Sequence, residues 1–167
     1  MRKAQATLGT AAFLAAAPGV VAGLVPWMLT GWRQGDSLWP PLRVAGAALV
    51  GVGAAVLLLA FAQFVVEGLG TPAPSAPTER LVVGGLYRYV RNPMYLAVVA
   101  VIAGQALVLG RPVLLVYAAA VWAVVGAFVH WYEEPVLDRR FGAGYDNYRR
   151  GVPAWRPRLR PWRPQDT

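Results

Sequence analysis

The chain has 167 residues, 57% of them hydrophobic and 14% charged, with a formal net charge of +8. A soluble domain carries about 25% charged residues, so this balance excludes an ordinary soluble fold and points to the bilayer. The absence of cysteine excludes disulfides, thiolate nucleophiles and thiolate metal sites, and a lone histidine, His130, argues against a multi-histidine metal centre.

The expected fold is all-α: a single domain over residues 1–167, an integral membrane bundle of about four transmembrane helices with a cytoplasmic C-terminal tail. Apolar runs cover about residues 6–29, 42–66, 93–109 and 112–131. Each approaches the roughly 20 residues that a helix needs to cross the hydrocarbon core. They are too long and too weakly alternating for barrel strands, and no other backbone can span without water. The first run has a rival reading. Arg2-Lys3, an apolar stretch and Ala15-Ala16-Ala17 resemble a signal peptide, but the stretch continues to Leu29 and suits a retained span better.

Small residues recur in the first two runs, with Gly19 and Gly23 in a GxxxG and with Gly46, Ala47, Gly51 and Gly53 along the second. They permit close approach of membrane helices. Gln63 is the polar residue singled out within a span, expected to face the bundle interior. The stretch from Thr71 to Pro77 is a proline-stiffened connector.

Orientation follows from the basic residues of the short loops. Arg2, Lys3, Arg80, Arg88, Arg91 and the tail arginines lie on one side; Arg33, Arg43 and Arg111 lie on the other. Both termini and the middle loop are therefore expected in the cytoplasm, in an inner or plasma membrane, with Trp27, Trp32 and Trp39 at the outer interface. Eight of the sixteen basic residues fall between Arg139 and Arg163. Such a tail beside membrane spans matches anionic lipid headgroups, and no nucleic-acid module is visible.

Three segments are richer in polar residues than membrane packing needs. In Gly84–Tyr95, Asn92 and Pro93 read as the N-cap and first residue of the third span. A helix start with Arg91 beside it suits a carboxylate or phosphate. Equally, Asn92 merely caps and Arg88 and Arg91 only enforce topology. In His130–Pro135, Glu133 and Glu134 sit at a cytoplasmic helix end that favours cations. Neighbours on a helix lie about 100° apart, so at most one is expected to face a given site. They either pair with Arg139 and Arg140 or meet a cationic ligand group or an inward arginine. Pro135 is expected to bend or restart the helix. In Phe141–Pro157, aromatics alternate with arginines, which reads as an interfacial anchor or as a lid over a site between spans three and four.

These segments resemble the isoprenylcysteine carboxyl methyltransferase family, a branch of the membrane methyltransferases related to phospholipid methyltransferases. The resemblance rests on Gly85-Leu86-Tyr87, Arg91-Asn92-Pro93-Met94-Tyr95, Glu133-Glu134, the run from Phe141 and Gly142 to Tyr145 and Tyr148, and Val152-Pro153. It covers roughly residues 79–157, in the family's order and near its spacing. It implies S-adenosyl-L-methionine as cofactor, held between the last two spans beneath the tail. By family position Glu79, Arg80, Leu81, Val82, Tyr87, Asn92, Pro93, Met94, Tyr95 and Glu133 would contact it, with Arg91, Glu133 and Glu134 as the catalytic set. The implied reaction is methyl transfer to a lipophilic acceptor. A prenylcysteine-like or other lipid carboxylate slightly leads phospholipid or small-molecule methylation. A carboxylate acceptor needs no general base, whereas an amine or hydroxyl would draw on Glu133, Glu134 or His130.

Two positions depart from the family pattern. Asn92 stands where histidine is frequent, and Val129 stands near an arginine that engages the carboxylate in the prenylcysteine enzymes, which weakens prenylcysteine as substrate. A non-catalytic lipid-binding module of the same fold is the alternative class.

Overall fold

The computed structural model describes residues 12, 16–35, 39–63, 66 and 81–163. Glu79 and Arg80, the proline-rich connector, and Arg2 and Lys3 lie outside the described residues. All described secondary structure is helical. Helix α1 spans Ala16–Thr30 and α2 spans Pro40–Gln63. A 3-10 turn at Gly85–Arg88 leads to α3, Pro93–Leu109, and a tight turn leads to α4, Val113–Phe128. A π-helical turn, Val129–Glu133, then passes into α5, Glu134–Phe141, and α6 follows at Ala143–Gly151.

Among the described residues two helical stretches are long and apolar enough to cross a membrane: Pro40–Gln63, and the continuous rod Val113–Phe141. Ala16–Thr30 and Pro93–Leu109 are apolar but shorter. The fourth expected span, residues 112–131, thus belongs to a longer rod. Pro135 neither ends nor restarts it. Proline lacks an N–H and crowds the carbonyl four residues back, and the wider turn at Val129–Glu133 lies just upstream of it.

The same device recurs in α1, where the π turn Val20–Leu24 precedes the buried Pro26. Val25 N–H donates to the Val20 carbonyl. Pro26, which would serve the next carbonyls, has no proton to give. Those two acceptors are met from other helices: Gln105 Nε2 of α3 donates to the Ala22 carbonyl at 2.7 Å, and Tyr117 Oη of α4 to the Val21 carbonyl at 2.9 Å. In a medium without water each orphaned carbonyl costs several kcal/mol. Gln105, a polar residue in mid-span, therefore has a structural role.

Helices α2 and α3 run antiparallel and form the most extensive interface. Gly104 makes it possible, because a Cβ there would stand 2.7 Å from the Gly46 carbonyl oxygen and 2.9 Å from the Val50 nitrogen. The small residues of the second run therefore serve close packing. An apolar core of Leu57, Phe61, Ala97, Val98, Ile102, Ala106, Leu114 and Ala118 joins α2, α3 and α4. At one end of the bundle Arg43 Nε donates to the Val108 carbonyl and Arg111 Nε to the Arg33 carbonyl. The chemistry-bearing residues are at the other end.

Replacing Gln105 with leucine should cost about 1–3 kcal/mol, the usual penalty for a buried acceptor left unmet, read as a drop of several degrees in thermal midpoint in detergent. An unchanged midpoint would show that the Ala22 carbonyl needs no donor.

Candidate active site

The site is built on the connection into α3. Gly85 has a φ of +50°, a left-handed value that side-chain-bearing residues rarely adopt. A Cβ there would also stand 2.6 Å from Gln63 Oε1, so Gln63 packs against the turn at the end of α2. The 3-10 turn that follows buries Tyr87. Val82, Tyr87, Tyr145, Tyr148, Val152 and Trp162 close over it as a second core, with Leu81 and Met94 partly buried against it.

Residues after α6 bind back along this connection. Arg91 N–H donates to the Pro153 carbonyl, Arg158 N–H to Tyr89, and Trp162 N–H to Arg88, at 2.9–3.0 Å. Arg88 Nε returns a bond to the Trp162 carbonyl at 2.8 Å, and Tyr148 Oη donates to the buried Tyr87 carbonyl at 2.7 Å. The tail is thus a strap fastened over the mouth of α3. Trp155 on the strap lies over Trp122 of α4, with ring centroids 5.8 Å apart.

Asn92 and Pro93 are the N-cap and first residue of α3, as their sequence indicates, and both are buried. The Asn92 side chain makes no capping bond, however. Its Nδ2 donates to the Ala154 carbonyl at 3.2 Å, holding the strap, while its own carbonyl accepts from Leu96 N–H. Pro93 has no N–H, so Met94 and Tyr95 carry the free donors of the first turn, and among the described residues nothing caps them.

Both glutamates turn toward this helix start. Arg91 Nη1 donates to Glu134 Oε1 at 2.6 Å, and Tyr95 Oη donates to Glu133 Oε2 at 2.9 Å. The two adjacent carboxylates thus take different partners: Glu134 meets the inward arginine just before α3, and Glu133, the last residue of the π turn, meets a tyrosine of its first turn. Neither pairs with Arg139 or Arg140, which are exposed.

The Arg91 guanidinium is held by three groups of the protein. Besides Glu134 it donates from Nη1 to Tyr145 Oη at 2.9 Å and from Nε to the Val152 carbonyl at 2.9 Å. The side chains of the Arg91–Glu134 pair are only 12% and 17% exposed. Glu133 keeps its bond from Tyr95 but, among the described residues, has no cation within ion-pair range. Burial pushes the phenols of Tyr145, Tyr148 and Tyr87 up, with Arg91 pulling the first two down by less, so all three stay protonated at neutral pH. His130 is exposed beside Trp131 and takes no part in the cluster. Val129 is buried at the start of the π turn.

Tyr145 and Tyr148 were legible in sequence only as a pair spaced by three residues, which places them on one face of α6. That this face grips Arg91 and the Tyr87 carbonyl depends on the strap. Tyr148→Phe should cost about 1–2 kcal/mol, leaving a buried carbonyl unmet. It should also speed tryptic cleavage after Arg158, the strap arginine that proline does not follow, as read by mass spectrometry of intact protein. Cleavage at the wild-type rate would show that this bond does not fasten the strap.

A family model described as phospholipid methyltransferase matches residues 42–144, taking in α2 to α5 and ending just before Tyr145. No curated protein and no solved structure matches the chain. The matched region covers well over half of the sequence and contains Arg91, Tyr95, Glu133 and Glu134. The chain therefore belongs to the phospholipid methyltransferase family, a family of membrane methyltransferases related to the isoprenylcysteine carboxyl methyltransferases.

Proposed function

We propose that this membrane methyltransferase uses S-adenosylmethionine, bound where the start of α3 meets the acidic end of α4, and methylates a lipophilic acceptor. The observation that carries the reading is the convergence of Tyr95 with Glu133 and of Arg91 with Glu134. The donor set fits the cofactor's zwitterionic end. The free N–H groups of Met94 and Tyr95, with the helix dipole behind them, suit its carboxylate. Glu133, which has no cation in ion-pair range among the described residues, suits its ribose hydroxyls, which leave the carboxylate's charge uncompensated. Tyr95 adds an aromatic face for a cationic sulfur. When bound, the cofactor supplies an electrophilic methyl group.

The chain's part is to align, to exclude water and to handle a proton. Arg91 is a positioning residue here: held by Glu134, Tyr145 and the Val152 carbonyl, it fixes α3, the π turn and the strap together. Glu134 is its counterion. Val82, Tyr87 and Leu81 shape the wall beneath the strap, and Asn92 anchors the strap through Ala154. We assign the acceptor from charge. Arg91 is neutralised by Glu134, Val129 offers no cation, and Glu133 has no counterion among the described residues. A carboxylate acceptor would meet repulsion, while an amine would be attracted and could lose its proton to Glu133. The reading thus moves from a lipid acid to a lipid amine such as an aminophospholipid.

The basic loops and the bundle's two ends support a four-span arrangement with residues 84–92 and the strap on the cytoplasmic side. Ala16–Thr30 and Pro93–Leu109 are then the shorter spans.

Titration of the purified full chain in detergent should show micromolar affinity for S-adenosylmethionine. Glu133→Gln should weaken it at least ten-fold while the thermal midpoint holds. Wild-type affinity in that variant would remove Glu133 from the site. With methyl-labelled cofactor, label should enter phosphatidylethanolamine and not a fatty acid or prenylcysteine; the opposite pattern would overturn the charge argument.

A further inference from the structure

A second concavity lies away from the methyl-transfer site. It is a groove of about 450 Å³ between α2 and α3, lined by Val52 and Val56 on one side and Leu96 and Ala100 on the other. Its lining is almost wholly apolar, and the exposure of Val52 shows that it opens sideways, where the bilayer would lie. Tyr89 and Arg158 close the end nearest the strap. The volume falls within the 300–1,000 Å³ of ordinary ligand pockets.

Helix periodicity separates this groove from the glutamates. Pro93, Leu96, Ala97 and Ala100 all line it, and their spacing of i, i+3, i+4 and i+7 defines one stripe of α3. Tyr95 lies on the opposite side of that helix and reaches Glu133 in the π turn after α4. A molecule in the groove is therefore screened by α3 from the methyl-transfer site.

The groove's polar end carries a fixed cation. Arg158 N–H is bonded to the Tyr89 carbonyl, and Arg158 Nη1 donates to the Gly151 carbonyl. One backbone carbonyl thus fixes the residue's main chain and a second holds its guanidinium at the rim, and among the described residues no carboxylate neutralises it. A preorganised guanidinium with donors to spare suits a phosphodiester. Moving from it into the groove, the surroundings change from basic strap to apolar helix within one to two turns of α3. That gradient, with a cation at the interface and a channel descending toward mid-span, matches one headgroup and one acyl chain.

We propose that the α2–α3 groove is a resident-lipid site: it takes one acyl chain of an anionic phospholipid whose phosphate is bound by Arg158, and this lipid is not the methyl acceptor. The bound chain completes the α2–α3 surface and ties the strap to the membrane through Arg158. Arg158 therefore couples lipid composition to the fastening of the strap.

The test uses the full chain in nanodiscs with phosphatidylglycerol carrying a photoreactive diazirine in one acyl chain, and maps labelled peptides by mass spectrometry. Labelling should concentrate in residues 49–56 and 96–100. Excess phosphatidylglycerol should reduce it at least five-fold, and excess diacylglycerol, which lacks phosphate, should not. Ala100→Phe, which fills the groove, and Arg158→Gln, which removes the cation, should each lower labelling there at least five-fold. Arg158→Lys should recover part of it. Both folded variants are identified by unchanged helical circular dichroism and a monodisperse elution. Labelling spread evenly over all apolar helices, equal competition by diacylglycerol, or wild-type labelling in either variant would each overturn the proposal and leave an ordinary lipid annulus.

Discussion

Arg91 ties the start of α3, the glutamates, α6 and the strap together. It stands immediately before the N-cap of α3, its guanidinium holds Glu134 beyond the π turn of α4 and Tyr145 of α6, and its Nε and backbone N–H hold the strap at Val152 and Pro153. A largely buried ion pair is not by itself a source of stability, because desolvation offsets most of the attraction. Its value here is geometric. Partners 43, 54 and 61 residues away in sequence are tied to one planar group with directed donors, so the position of Glu133 relative to Tyr95 follows from where Arg91 sits. Removing one partner would leave a charge uncompensated at a place water reaches poorly, and that penalty keeps the arrangement unique.

The remainder of the bundle answers the same constraint at a different depth. Wherever a proline withdraws a proton in an apolar helix, another group has to serve the orphaned acceptor. Pro26 withdraws one, and Gln105 and Tyr117 reach across from two other helices to supply the loss. This stitches the first helix, which packs weakly, to the α3–α4 hairpin. Membrane helices gain little from hydrophobic burial against lipid, so close glycine contacts and such hydrogen bonds fix their arrangement. The glycine approach of α2 to α3 and the polar stitch of α1 are complementary parts of one solution.

Much of this was legible in the residues and some was not. The apolar runs gave α2 and α3 to within a few residues because hydropathy is a local property, and Asn92-Pro93 marked the start of α3 because capping is local too. The strap bond of Asn92 was hidden, since a capping residue reads the same whether its side chain bonds its own helix or a distant carbonyl. The two glutamates were visible as an anomaly at a helix end. Their partners were not, because Arg91 and Tyr95 lie about forty residues away in sequence and are brought to them only by the fold. Gln105 was overlooked among apolar neighbours, and its purpose emerges only when Pro26 is asked which carbonyls it leaves unmet. The family resemblance, carried by motifs on both sides of the site, reached the methyltransferase reading that composition alone could not.

The central claim is that Arg91 and Glu134 act as one unit that presents Glu133 and Tyr95 to the cofactor. The most direct measurement is a double-mutant cycle on cofactor affinity with Arg91→Gln, Glu134→Gln and the pair together, each checked for fold in detergent. If the two residues work through each other, the double variant binds no worse than the weaker single one. If the losses multiply, the two side chains contact the ligand independently, and the account of Arg91 as the fastening of the site is wrong.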